Sequence, residues 1–151
     1  MLLLESYDFG YLRDRFVEDH PAHAHCFDEA SEELRKFLAL PRESGVIGPL
    51  AAMSHAVDGV WHTFIVHTPQ YLEFCYAVYG PGCFLHHQPR SAKFPVSPKA
   101  ISNFYMLYPQ HFGEVPDIWF ADIPKEHVHA VRQGEVPQAV QQLRWSGWPG
   151  W

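Results

Sequence analysis

Two side chains that can bind a metal ion or exchange a proton, Asp58 and His62, lie four residues apart in a segment with helical periodicity. Residues at this spacing project from the same face of a helix, so the carboxylate and the imidazole should lie together. Such a pair can share a metal ion or form an oriented hydrogen bond. His55 lies three residues before Asp58 and should project from the same flank.

Thiol and imidazole groups that could complete a metal site follow farther along the chain. Cys75 shares the apolar face of the next predicted helix, so its thiol should point inward. The adjacent residues His86 and His87 should be extended, with only one of them facing the Asp58 helix. Zinc and other first-row metals accept carboxylate, imidazole and thiolate ligands. The sequence therefore predicts a divalent-metal site, zinc before other metals, with the ligands Asp58, His62, Cys75 and His86.

The same residues also have a structural interpretation, in which Asp58 and His62 belong to a polar network and Cys75 is a small buried side chain. No Cys-x-x-Cys or His-Glu-x-x-His spacing occurs. A nucleophilic Cys75 or Cys83 beside a histidine is a further interpretation, as is His62 acting as a general base oriented by Asp58. Neither has a recognisable flanking motif, so the sequence assigns no reaction.

A second group of candidate ligands, His20, His23, His25 and Cys26, lies near the start of the chain. Pro21 interrupts it, and acidic residues flank it on both sides. This pattern favours a solvated turn at a helix entrance over a metal site.

The elements that would position these groups are mainly helices. Apolar residues recur at helical spacing from about residue 26 to 40, where Pro41 should stop the helix, and from about 49 to 66. A third helix should begin at Thr68 and stop at Gly80, and a fourth should run from Ser97 to Gly113, with Pro109 ending or kinking it. One or two short helices should follow residue 124. The sequence predicts a mainly α domain of about four to six helices, with a short extended segment around residues 83–88.

Composition limits the class of protein. The 151 residues are 47% hydrophobic, which suits a single domain over 1–151. Seventeen acidic against eleven basic residues give a net charge of −6, which disfavours nucleic acid as a partner. We expect no membrane segment and no export signal, and three unpaired thiols in a cytoplasmic protein. The remaining partners are another protein or a small molecule, and a tryptophan-rich tail over 143–151 could dock a protein through Trp145, Trp148 and Trp151.

The ordered motifs resemble the glycine-rich domain-containing-protein-like family, which includes short bacterial members. The resemblance rests on Val57-Asp58-x-x-Trp61-His62, Tyr71-x-x-Phe74-Cys75 and Gly82 to His86-His87-x-Pro89, and it covers about residues 34–120. It implies a polar site on a helical scaffold and brings no reaction. The chain departs from the family pattern at Pro81-Gly82-Cys83, which makes Cys83 an alternative ligand. Additional candidate site residues are His55, Cys83, His87, Trp61 and Tyr71.

Overall fold

Helices account for most of the structure, a computed structural model that describes residues 2–43 and 49–149. The chain divides into two units. The first comprises the described residues up to Arg42 together with His55–Phe84, and the second comprises the described residues of Glu43–Ser54 and Leu85–Trp151. A single functional domain over 1–151, with a core at about 34–120, stays a prediction.

The first unit is helical. Its α-helices are α1 (Leu2–Ser6), α2 (Arg13–Asp19), α3 (Phe27–Glu43, whose last residue belongs to the second unit), α4 (His55–Val66) and α5 (Thr68–Tyr79). Short 3-10 helices cover Gly10–Leu12 and Pro21–Cys26. The α4 helix packs against α2 and α5. The core of this unit consists of apolar side chains from its α-helices and its first 3-10 helix, among them Leu12, Phe16, Leu34, Leu38, Phe64 and Phe74.

Helix ends in the first unit agree only partly with the predictions. Gly80 follows α5 with a φ of 109°, a conformation that favours glycine, which confirms the predicted stop. The N-cap of α5 is His67 rather than Thr68. The prediction that Pro41 stops α3 is wrong, because the helix continues to Glu43. Proline removes one backbone hydrogen bond and crowds the carbonyl four residues earlier, and the burial of Leu38, Leu40 and Pro41 offsets this cost.

The predicted helix from 49 to 66 is too long at its start. Its first part is the strand β1 (Leu50–Ala52), and α4 begins only at His55. All three residues of β1 are buried. A short segment that is apolar on every side has no distinguishing period, so its sequence fits a buried strand as well as a helix.

The second unit contains a small sheet and the remaining helices. Strand β3 (Ser146–Trp148) lies between β1 and β2 (Gln88–Pro89), and both pairings are antiparallel. Helix α6 (Pro98–Phe112) packs on β1 and is followed by a 3-10 helix (Asp117–Trp119), α7 (Lys125–Arg132) and α8 (Gln138–Gln141). The mainly α class is confirmed. The described residues nevertheless form eight α-helices rather than four to six, and a three-stranded sheet instead of one extended segment.

Helix α6 has the predicted start. The Ser97 side chain accepts a hydrogen bond of 3.1 Å from the backbone N–H of Ala100, as an N-cap should. Pro109 does not end the helix but lies within it, and Gly113 follows with a φ of 83°. As with Pro41, packing of the helix offsets the local cost of the proline, here through the buried Tyr105 and Tyr108.

The tryptophan-rich tail is part of the core of the second unit as far as the structure describes it. Trp145 and Trp148 are almost fully buried, and the Trp145 indole donates a hydrogen bond of 2.8 Å to the Val140 carbonyl. Trp151 lies outside the described residues. Trp145 and Trp148 are therefore not the exposed anchors that the docking-tail interpretation requires, and a protein partner stays a prediction.

Within residues 2–43 and 49–149, none of the helices has the length and apolar character that a membrane crossing demands. The cytoplasmic location stays a prediction.

Gly147, in the central strand of the sheet, should not tolerate a side chain. A Cβ atom at this position would overlap the Leu50 carbonyl oxygen and lie 2.9 Å from the Ala51 Cα. Because both obstacles are backbone atoms, Gly147→Ala should lower the free energy of unfolding by about 3 kcal/mol in urea denaturation. Ser146→Ala, at the neighbouring half-buried position, is the control. Equal stabilities of the two variants would contradict the packing at Gly147.

Candidate functional site

The α4 helix has one solvent-facing stripe. Its buried residues include Val57, Val60, Trp61 and Phe64, as the apolar period predicts. His55, Asp58 and His62, which are spaced by three and four residues, are exposed or half-buried. The predicted placement of Asp58 and His62 on the flank of a buried stripe is therefore correct.

Asp58 and His62 approach each other across one turn of α4. The distance between Asp58 Oδ2 and His62 Nε2 is 3.4 Å. The side chains are 26% and 48% exposed, respectively, so water reaches both. This distance is longer than that of a good charge-assisted hydrogen bond, which is about 2.7–2.9 Å. The contact between the two side chains is therefore longer than a strong ion-pair hydrogen bond.

Gly59 allows a close approach to the same part of α4. A Cβ atom here would lie 3.0 Å from the Phe16 ring and 3.2 and 3.3 Å from Cδ2 and Cε1 of His20. Glycine inside a helix costs about 1 kcal/mol relative to alanine. The close approach of Phe16 and His20 accounts for glycine at this position. The prediction of a solvated turn at His20 missed this contact with α4. A glycine inside a helix was the one sequence signal that could have indicated it.

Three other predicted site residues form a separate buried network. The Trp61 indole donates a hydrogen bond of 3.2 Å to the Tyr71 hydroxyl, which also shares a hydrogen bond with the Cys75 side chain. Burial, and secondarily the Cys75 side chain, raises the pKa of Tyr71 well above its ordinary value, whereas the Trp61 hydrogen bond lowers it. Tyr71 therefore stays a neutral hydroxyl that links α4 to α5.

Cys75 does not join the Asp58–His62 pair. Among the described residues of the first unit, neither Cys75 nor His55 forms a group with this pair in which the ligand atoms lie within 4.8 Å of one another. The reason is geometric: Cys75 lies on the fully buried face of α5, whereas Asp58 and His62 lie on the outer stripe of α4. Cys75 as a ligand stays a prediction that would need a rearrangement of this core.

The remaining predicted ligands lie near the end of the first unit and the start of the second. Cys83 is half-buried in the turn after Gly80, and its backbone N–H donates to the Gly80 carbonyl. In the second unit His86 is exposed and His87 half-buried, just before β2. A ligand role for any of these three stays a prediction.

The N-terminal histidines do not form a metal cluster among the described residues. His23 and His25 lie in the 3-10 helix Pro21–Cys26, and the Cys26 thiol donates to the His23 carbonyl. Burial, and then the nearby Glu29 carboxylate, raises the pKa of Cys26, which disfavours the reactive thiolate. The segment leads into α3, as predicted, and the preference for a solvated turn over a metal site stays a prediction.

The second unit has a cavity of its own. It has a volume of about 200 Å³ and lies between the sheet and the start of α6, with Leu50, Val96, Ser97 and Trp148 in its lining. None of its lining residues is charged. The lining is mainly apolar, with Gln88 and Ser97 as its polar side chains.

A match to a family of sequences covers the part of the chain that contains the Asp58–His62 pair. Residues 3–102 match the UCP032817-like family. The chain belongs to this family. The matched part of this UCP032817-like protein extends from α1 into α6, so that it contains the Asp58–His62 pair, Cys75, His86 and His87. The family is uncharacterised, so membership brings no reaction or ligand. No curated protein and no solved structure matches the chain.

The resemblance to the glycine-rich domain-containing-protein-like family was wrong, since the UCP032817-like match indicates no such family. Trp61, Tyr71, Phe74 and Cys75, which carried much of that resemblance, are buried packing residues. Short motifs of buried residues reflect the packing of a helical core. Because many unrelated helical proteins pack their cores in similar ways, such motifs identify a family only weakly.

Tyr71 makes stability sensitive to alkaline pH. The unfolded chain releases the Tyr71 proton near pH 10, whereas the raised pKa keeps it on the folded protein. Stability is therefore full below about pH 10 and falls above it, by about 1.4 kcal/mol per pH unit for each such tyrosine. Urea denaturation from about pH 8 to pH 11 measures how the free energy of unfolding falls with pH. Tyr71→Phe should reduce this slope above pH 10 by about 1.4 kcal/mol per pH unit, the contribution of one tyrosine. An unchanged slope would show that Tyr71 ionises equally in both states.

Proposed function

We propose that this UCP032817-like protein binds a divalent metal ion, with zinc as the first candidate, through Asp58 and His62. The observation that carries the proposal is the distance of 3.4 Å between Asp58 Oδ2 and His62 Nε2. Zinc–ligand bonds of about 2.0–2.2 Å at a tetrahedral angle separate two ligand atoms by about 3.4 Å. The spacing therefore matches two ligands of one ion better than it matches a direct hydrogen bond.

The exposure of the pair supports an accessible ion. His62 is 48% exposed, so water could occupy coordination positions that the protein leaves open. An open position is typical of catalytic zinc, whereas structural zinc has four protein ligands. Asp58 supplies a negative charge, and the chain as a whole carries −6, which also favours a cation.

Two ligands do not complete a zinc site. The sequence predicts a further ligand from His86 or His87, with Cys83 as an alternative. His87 is the stronger candidate of the two histidines because it is half-buried, and desolvation strengthens a ligand bond.

Two competing functions have less support. A general base needs an imidazole held firmly by its carboxylate, and 3.4 Å is long for that contact. A docking tail needs exposed tryptophans, and Trp145 and Trp148 are buried.

Zinc binding should depend on both members of the pair. Wild-type protein without a histidine tag should take up one equivalent of zinc in a chelator-competition titration. His62→Ala and Asp58→Asn should each weaken binding by about a hundredfold or more. At zinc concentrations about 100 times Kd, the wild-type free energy of unfolding should rise by about 2.7 kcal/mol. His111→Ala removes an exposed histidine of α6 and is the matched control, with wild-type affinity.

The proposal fails if the wild-type protein binds no zinc, cobalt or manganese in this titration, or if His62→Ala and His111→Ala bind equally. His86→Ala and His87→Ala then identify the further ligand. Substitution of the histidine that binds zinc should weaken zinc binding as much as Asp58→Asn does. Substitution of the other histidine should leave the zinc affinity unchanged.

A further inference from the structure

We propose that the cavity of the second unit binds a small uncharged molecule, about the size of one aromatic ring, that carries a carboxamide or a similar neutral hydrogen-bonding group. The cavity lies between the sheet and the start of α6. All the residues that line it belong to the second unit. The proposal is therefore independent of the metal site proposed on α4.

The volume of the cavity limits the size of the ligand. An apolar cavity of about 150 Å³ holds one benzene molecule, whereas sites for drug-sized molecules have volumes of about 300–1,000 Å³. The cavity of the second unit has a volume of about 200 Å³. It therefore fits a single ring with one small substituent, and a nucleotide or a peptide segment would extend beyond it.

The lining has a buried apolar part and an exposed part. Leu50, Ala100 and Trp148 line the cavity and are almost fully buried. Pro95 and Pro149 line it as well and are exposed. A ligand can therefore enter from the solvent side and place its ring against buried apolar groups, which is favourable because apolar surface leaves water.

The absence of charge in the lining selects an uncharged ligand. Among the described residues, no Asp, Glu, Lys, Arg or His lines the cavity. Burial of a charged group without a partner of opposite charge costs far more free energy than burial of a neutral polar group. A neutral ring is therefore favoured over a carboxylate or an amine of the same shape.

Two polar side chains of the lining, those of Gln88 and Ser97, retain hydrogen-bonding capacity. The Gln88 amide donates one N–H to the Pro89 carbonyl at 3.3 Å, but its Oε1 accepts no hydrogen bond from the described part of the chain. Ser97 Oγ accepts from the Ala100 backbone N–H at 3.1 Å, and no described residue accepts its hydroxyl proton. The lining thus offers both an acceptor and a donor, which a carboxamide complements with its N–H and its carbonyl.

The probe is benzamide, a single ring with one carboxamide, titrated into the full chain and followed by nitrogen–proton correlation NMR. It should bind with a Kd of about 1 mM or tighter. The backbone N–H signals of Ala100 and Gly147, which line the cavity, should shift with this Kd. Benzoate has the same shape but a negative charge, so it should bind about tenfold more weakly or worse.

Val96→Phe tests whether the probe occupies the cavity. Val96 lines the cavity and is half-buried, so a phenyl ring at this position should fill the space without displacing the core. The variant should weaken benzamide binding by about tenfold or more. Val66→Phe places the same ring on an exposed residue of α4 in the first unit, and it should keep the wild-type affinity.

Gln88→Leu tests the hydrogen bond to the carboxamide. Leucine is similar in size but has no donor or acceptor, so the variant should weaken benzamide binding by about fivefold. Toluene has no hydrogen-bonding group, and its affinity should not fall in the same variant.

Three results would overturn the proposal: no saturable shift of the Ala100 and Gly147 signals with benzamide, equal benzamide affinities of Val96→Phe and Val66→Phe, or benzoate binding as tight as that of benzamide. If Val96→Phe fails to fold, the titration of the wild-type protein still decides, because the signals of the lining residues locate the probe.

Discussion

The geometry of the candidate site depends on how α4 is held within the first unit. On one side Gly59 lets Phe16 and His20 approach the helix backbone, and on another the Trp61 indole is anchored by Tyr71 and packs near the Phe37 ring. Together these contacts fix the rotation of the helix about its axis. Because successive residues differ by about 100°, a slip of one position would turn Asp58 into the core.

This rotation separates the polar groups around α4. Trp61, Tyr71 and Cys75 are buried and interact with one another through side-chain hydrogen bonds to Tyr71. Asp58 and His62, which can carry charge, keep contact with water. An isolated ion in a dry interior costs far more than a hydrogen-bonded neutral group, so the arrangement avoids a large desolvation penalty. It also leaves the Asp58–His62 pair open to solvent.

The second unit contains very short strands, which need support from the elements packed around them. Strands of two and three residues are not stable by themselves, and this sheet is supported by α6 on β1 and by the buried Trp148 of β3. Gly147 makes the central pairing possible because the Leu50 and Ala51 backbone approaches so closely. The aromatic end of the described chain therefore belongs to the core of this unit.

The sequence by itself determined what depends on neighbours within a few residues. Helical periodicity predicted the mainly α class and the shared flank of Asp58 and His62, and local backbone chemistry predicted the cap at Ser97 and the stop at Gly80. These features depend on interactions within one or two turns, which adjacent residues encode directly.

Only the tertiary structure decided which distant residues pack against each face of a helix or strand. It made residues 50–52 a strand by supplying β3 as a partner, put Cys75 into the Tyr71 network, and brought His20 to Gly59 across nearly forty positions of sequence. Apolar or polar character shows that a residue needs a partner, but the identity of a distant partner depends on how the whole chain packs.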